Sequence, residues 1–291
     1  MYEFYGLGVT CMRKILKAIF VVIAIGIGVS LMIYPYIANY LFENRKDSII
    51  ESYEKEIDDG KDYSEEFEKA VKYNETLATG HVQLHDPFSE DIKGLSSKDY
   101  ESVLNIDRTE VMGYINIPSI DVMLPIYHGT NSDTLEKGIG HLEGTSVPVG
   151  GTSVHTVLTG HTGLSNAKMF TDITEMEEGD IFVIGVLDRK IAYKVDQIKV
   201  VEPYEISDLG IISGKDYCTL VTCTPYGVNT HRLLVRGERT EYVEDMEDSV
   251  IEKASLKDSQ WMLEYRKSLY LAIALIVVST VLMVIIRKVR G

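Results

Sequence analysis

Thr219-Leu-Val-Thr-Cys-Thr-Pro-Tyr-Gly-Val-Asn-Thr-His-Arg-Leu-Leu-Val-Arg-Gly237 reads as two β-strands joined by a turn. Apolar and β-branched residues run into Cys223, Pro225, Gly227 and Asn229 supply turn chemistry, and a second strand starts near Arg232. Side chains at the facing ends of adjacent strands approach one another across a sheet. A strand end is also a rigid platform for a loop-exposed thiol. A thiol stays mostly protonated at neutral pH unless positive charge or hydrogen bonds favour the thiolate. Arg232 keeps its charge and offers forked donors that suit a thiolate or an oxyanion.

Upstream of this hairpin the same texture recurs. Val111–Ile117, Val122–Tyr127, Ser153–Thr159, Ile181–Val186 and Ile191–Val201 are short β-like runs bounded by Gly, Pro and Asn. With Thr219–Cys223 and Arg232–Arg236 they make seven or eight strands, which implies a closed barrel or a sandwich. Met169–Glu178 is a polar connection with some helical character. Residues 43–80 are helical by periodicity: Ile49, Ile50, Tyr53 and Ile57 recur at helical spacing, Asp58–Gly60 breaks it, and Tyr63, Phe67, Ala70, Val71 and Asn74 resume it. A loop over Thr79–Gly94 follows, then a short helix over Ser97–Leu104.

The nucleophile needs a proton carrier, and seven histidines are available: His81, His85, His128, His141, His155, His161 and His231. Sequence physics does not choose among them. His161 stands between two glycines just past an apolar strand, which favours an accessible ring; His155 lies inside that strand, where a structural role is expected. The three cysteines, Cys11, Cys218 and Cys223, form no disulfide framework and no zinc pattern. Along one strand Cys218 and Cys223 would be about 16 Å apart, beyond disulfide reach. A net charge of −15 argues against a nucleic-acid partner, since phosphate binding needs a basic surface. The acid concentrates in Glu43–Glu75 and Glu241–Glu264, which read as solvated helix faces or spacers.

Both ends of the chain point to a bilayer. No charge occurs from Ala18 to Phe42, and Ala18–Ile33 is almost continuously apolar; about 20 such residues span a membrane core. Arg13, Lys14 and Lys17 precede the run, and Tyr34, Tyr36 and Tyr40 follow it, as in a helix with its N-terminus inside and an aromatic belt outside. A cleaved signal peptide begins the same way, but the run is long for a signal core and shows no convincing small-x-small cleavage site, which favours an anchor. Leu269–Ile286 is a second uncharged run, followed by Arg287, Lys288 and Arg290. Two spans with basic ends put both termini in the cytoplasm and the intervening domain outside.

The elements Thr159-Gly-His161, Thr219-Leu-Val-Thr-Cys223 and His231-Arg232 resemble the His, Cys and Arg positions of the sortases, in that family's order. Gly113-Tyr-Ile-Asn-Ile-Pro118, Leu124-Pro-Ile-Tyr-His-Gly129 and Gly140-His-Leu-Glu-Gly-Thr145 are similar too, so the resemblance covers about residues 45–240. It extends to the class C, pilus-building members. Asp86-Pro87-Phe88 resembles the lid of that class, with Phe88 where several relatives carry Trp, and Cys223 to Arg232 has its form of the Cys–Arg connection. The second membrane span is also typical of that class.

The resemblance implies a mainly β fold: a closed eight-stranded β-barrel with N-terminal helices and two flanking transmembrane helices. It implies catalysis by Cys223 as nucleophile, His161 as proton-transfer partner and Arg232 as oxyanion stabiliser, under a lid of Asp86, Pro87 and Phe88. The expected substrate is a pilin or surface protein with a Leu-Pro-x-Thr-Gly-like C-terminal sorting signal, cut between Thr and Gly. The expected acceptor is a pilin lysine amine. A wall-anchoring housekeeping sortase and a membrane-tethered cysteine peptidase are the alternatives. No cofactor or metal is needed, and no spaced oxygen-ligand loop for Ca²⁺ is evident. The expected organisation is a cytoplasmic tail 1–17, a membrane helix with its interface 18–42, and a helical region 43–105 with lid loop 79–94. A catalytic barrel 106–240, an acidic juxtamembrane segment 241–268, a membrane helix 269–286 and a basic cytoplasmic tail 287–291 complete it, with membrane lipid as partner of both spans.

Overall fold

The computed structural model describes residues 3–58, 60–80, 84–89, 97–106, 111–164, 166–244, 246 and 259–290. In chain order the elements are α1 (Glu3–Ile57), α2 (Ser64–Thr79), α3 (Lys98–Glu101), β1 (Val111–Ile117), β2 (Val122–His128), α4 (Ser132–Lys137), β3 (Ile139–His141), β4 (Val154–Thr159), β5 (Ile181–Val186), β6 (Arg189–Val201), β7 (Asp216–Thr224), β8 (His231–Thr240) and α5 (Gln260–Arg290). They divide into one unit of Met1–Glu43, Ser165–Ala167 and Leu269–Gly291, and another of Asn44–Leu164 and Lys168–Ser268.

Within the larger unit the strands close into a barrel in the order β1-β2-β3-β4-β7-β8-β6-β5. The pairs β2/β3 and β4/β7 are parallel; the others are antiparallel. Closure removes the exposed sheet edge that a sandwich would leave. Ile115, Ile126, Val157, Phe182, Leu220 and Val235 are all fully buried and form much of its core. The strand missed by pattern is β3, three residues long and too short for any alternation to register. Elsewhere the expected runs hold, with β7 starting earlier at Asp216 and β8 running on to Thr240. The helical break falls where Asp58–Gly60 was expected to end the first pattern: α1 stops at Ile57, and Gly60 takes φ +75°, a conformation open to glycine.

Three polar latches tie the helical region to the barrel. The Tyr53 hydroxyl donates to the Met112 carbonyl at 3.2 Å and accepts from Leu187 N–H at 2.8 Å. Asn74 of α2 pairs like a strand residue with both backbone groups of Val147, at 3.0 and 2.8 Å. The buried Tyr100 hydroxyl meets His141 Nδ1 at 2.8 Å and accepts from Gly129 N–H at 2.9 Å. Buried polar groups satisfied in this way fix one docking geometry.

The segment Ile19–Ile57 is, among the described residues, the one helix long and apolar enough to cross a membrane, and its apolar stretch is unburied. The second expected span, 269–286, lies within helix α5 and exposes Leu271, Leu275, Val277 and Val281. Several of its other side chains lie outside the described residues.

Candidate active site

The parallel pairing of β4 with β7 brings two distant stretches to one end of the barrel. The register runs to Thr159↔Val221, and it is extended by Gly160 N–H donating to the Val221 carbonyl at 3.1 Å. The Thr222 hydroxyl then donates to the Gly160 carbonyl at 2.7 Å. His161 and Cys223 are the next residues on their respective chains, each directly after the Gly160–Thr222 contact. On the other side of β7, Cys223 is the direct cross-strand partner of Arg232 on β8. Three neighbouring strands therefore deliver the thiol, the imidazole and the guanidinium to the same barrel edge.

Hydrogen bonding separates His161 from the other histidines. His141 Nε2 donates to the Ser146 carbonyl at 2.9 Å, leaving Nδ1 to accept from Tyr100, and burial pulls its pKa down to about 4. His155 is fully buried, with Nδ1 on the Gly210 carbonyl at 2.8 Å and Nε2 on the Thr219 hydroxyl at 2.7 Å, the structural role expected from its place in a strand. His128 donates to the Val103 carbonyl at 2.7 Å. His231 is spent on Thr230 and on Glu202, His85 is exposed, and His81 lies outside the described residues. Among the described residues, no hydrogen bond engages either ring nitrogen of the half-buried His161.

The Asp86-Pro87-Phe88 segment lies directly on this group. Asp86 grips Arg232 with both carboxylate oxygens, at 2.9 Å from Nε and 2.6 Å from Nη2. Nη1 is turned to the carbonyls of His231 and Asn229, at 3.1 and 3.3 Å. The Phe88 ring contacts both partners: its centroid is 5.7 Å from that of His161 and 5.0 Å from Arg232 Cζ. Pro87 is buried, and a turn closed by Ser89 N–H to the Asp86 carbonyl at 3.0 Å fixes the segment. Leu84 and Phe88 pack on an apolar cluster of Leu142, Val157, Val201, Leu209, Val221 and Leu234. The rest of the expected lid loop, 81–83 and 90–94, lies outside the described residues.

Electrostatics at the site follow from burial. The Cys223 thiol is pushed up chiefly by desolvation; Arg232 pulls it down and Asp86 pushes it up again. The His161 imidazole is pushed down by burial, opposed by the Glu136 carboxylate. Both directions favour the neutral forms near neutral pH, a thiol beside a proton-accepting imidazole. Leu84, Glu136 and Thr222 are contributors that sequence reasoning missed. A threonine before the cysteine and an acid in a short helix carry no signal on their own.

Gly160 shows how tightly this edge is built. A Cβ there would lie 2.6 Å from Ile139 Cδ1 and 2.7 Å from Phe170 Cδ2. Gly160→Ala is therefore expected to destabilise the fold by about 1–3 kcal/mol and to slow chemistry at Cys223. Denaturant unfolding read beside thiol reactivity checks both, and wild-type values in the variant would contradict the packing argument.

Comparison with known proteins agrees with this geometry. Residues 115–240 match the Sortase domain. Sortase D of Bacillus subtilis is 29% identical over 133 residues, covering 45% of this chain and 64% of that one. The structure is similar to that of sortase C-1 from Actinomyces oris, at 47% identity and TM-score 0.58, covering 62% of this chain and all of that one. It is also similar to Streptococcus pneumoniae sortase C, at 42% identity and TM-score 0.61, over 67% of this chain and 97% of that one. With a closed barrel, a cysteine paired to an arginine across adjacent strand ends, and these likenesses together, the chain belongs to the sortase family of cysteine transpeptidases, and the solved structures it resembles include class C members.

Proposed function

We propose that this chain is a membrane-tethered pilus-building transpeptidase. It cleaves a Leu-Pro-x-Thr-Gly-like sorting signal between Thr and Gly and passes the acyl group to a lysine amine of a pilin subunit. The observation that carries the reading is the meeting of Cys223, Arg232 and His161 at one barrel edge. The likeness to the S. pneumoniae sortase C, whose structure provides insights into pilin substrate specificity, supports the choice of substrate.

The chemistry follows from the neutral resting pair. His161 takes the thiol proton as the Cys223 sulfur attacks the substrate Thr carbonyl, and Arg232 stabilises the resulting oxyanion. The imidazolium gives its proton to the Gly nitrogen, the C–N bond breaks, and a thioester remains on Cys223. The lysine amine attacks this carbonyl and yields a proton to His161. The sulfur leaves, recovers that proton, and an isopeptide bond joins the two proteins. The full-length chain, given a sorting-signal peptide with and without a lysine-bearing pilin domain, tests the reading. A cross-linked product supports transfer; a free acid alone, in both cases, would make the protein a peptidase.

Asp86, Pro87 and Phe88 act in this proposal as a lid. Asp86 occupies the donors that the oxyanion requires, so the lid must leave before chemistry. Its carboxylate also disfavours the thiolate. Removing it lowers the thiol pKa, and a lower pKa means more thiolate at pH 7. Asp86→Ala with Phe88→Ala should therefore speed alkylation of Cys223 by about tenfold. An unchanged labelling rate across pH 6–9 would remove the lid. The run 18–42 supplies the first anchor and 269–286 the second, with the barrel outside and both termini in the cytoplasm; protease access to terminal tags in intact cells checks the orientation.

A further inference from the structure

The acidic stretch ahead of the last helix reads as a solvated spacer, yet its end is packed against the barrel. Trp261, the one tryptophan of the chain, is only 5% exposed. Its indole N–H donates to the Leu164 carbonyl at 3.0 Å, and its backbone N–H lies 3.4 Å from Asp172 Oδ1. Beside it, Gln260 Oε1 accepts from the Thr174 hydroxyl at 2.6 Å. Leu164, Asp172 and Thr174 all belong to the connection that carries His161 away from β4 and closes in the 3-10 turn Thr171–Glu175.

Met169, Phe170 and Ile173 of that connection are buried in the core, and bonds within it and from one lysine add to that packing. Phe170 N–H donates to the His161 carbonyl at 3.0 Å, and Gly163 N–H to the Thr171 hydroxyl at 3.2 Å. Lys168 pairs with Asp172 at 3.1 Å and donates to the Ile120 carbonyl at 2.8 Å. The helix start also faces the second catalytic connection. The Tyr226 ring stands 3.6 Å from where a Cβ on Gly163 would be, and its hydroxyl, raised first by burial, feels the carboxylates of Glu264 and Asp172.

A catalytic imidazole needs its angle fixed, usually by a third group hydrogen-bonded to the far ring nitrogen. Among the described residues His161 has no such partner, so its orientation must come from its backbone and from packing. We infer that the first turns of α5 are a positioning element for the reaction: Trp261 clamps the 161–174 connection and thereby holds the His161 ring in line with Cys223. These first turns are thus part of the active-site scaffold. The inference rests on the transpeptidase reading for its effect on rate, but not for its effect on the loop.

The test uses the full-length chain in lipid nanodiscs, as wild type, Trp261→Ala and Trp261→Phe, well below each unfolding temperature. Amide hydrogen exchange over 160–171 should rise in Trp261→Ala. Single-turnover thioester formation with a sorting-signal peptide should fall about tenfold, as expected when reacting groups lose alignment, with KM moved less than about twofold. Trp261→Phe keeps a buried ring and loses the bond to Leu164, so it should fall in between and serve if the alanine variant does not fold. Wild-type exchange in the variants, or raised exchange with a wild-type rate, overturns the inference. No thioester on the wild-type chain would instead sink the transpeptidase reading, leaving exchange to decide the clamp.

Discussion

Cys223→Ala is expected to abolish both thioester formation and transfer, a loss of at least about 10⁴-fold, as for removal of other enzymic nucleophiles. Alanine has no atom that can bond the substrate carbonyl, and no neighbouring side chain can stand in. The other cysteine of the same strand, Cys218, is fully buried, and its thiol is pushed well above the usual range. Cys218→Ala should thus keep a near-normal rate and serve as the control. Cys223→Ser should also fail, because a hydroxyl in this desolvated place ionises far less readily than the thiol and His161 is disfavoured as a cation. Intact-mass measurement of protein incubated with a sorting peptide reads the adduct directly. An adduct on the Cys223→Ala chain would end the assignment of the nucleophile.

Arg232→Ala should lower the rate of thioester formation about 10²–10³-fold, the usual consequence of losing an oxyanion donor, with little change in KM because the oxyanion exists only in the transition state. Arg232→Lys keeps the charge but loses the fork and should recover only part of the rate. The contact with Asp86 makes the experiment more pointed. If Arg232 served only to pin Asp86 in place, Arg232→Ala and Asp86→Ala would behave alike, and the double variant would add nothing. If it serves the oxyanion, Arg232→Ala must cost at least as large a factor in the Asp86→Ala background, where no lid is left to release. A double variant as fast as Asp86→Ala alone would remove Arg232 from the chemistry.

These two tests bear on parts of the site that were legible to different degrees. The hairpin from Thr219 to Gly237 carries its own instructions: strand-forming residues on both sides of Pro225, Gly227 and Asn229 bring Cys223 opposite Arg232 within a short stretch of chain. The apolar run at 18–42 and the helical break at Asp58–Gly60 are equally local, and pattern alone locates them. Local order also separates the strands that are long enough to alternate. It fails for β3, three residues whose pairing with β2 is parallel and owes nothing to an adjacent turn.

By itself, then, the sequence determined the longer elements and the cysteine–arginine pairing, because these depend on neighbours along the chain. The placing of His161 directly past the β4–β7 register was left to the tertiary structure, because it turns on the parallel alignment of β4 with β7. So were the grip of Asp86 on Arg232 across 146 positions and the docking of Trp261 beneath the His161 connection. Those contacts arise only when the barrel closes, since closure decides which loops share an edge, and no period or spacing in the chain encodes it.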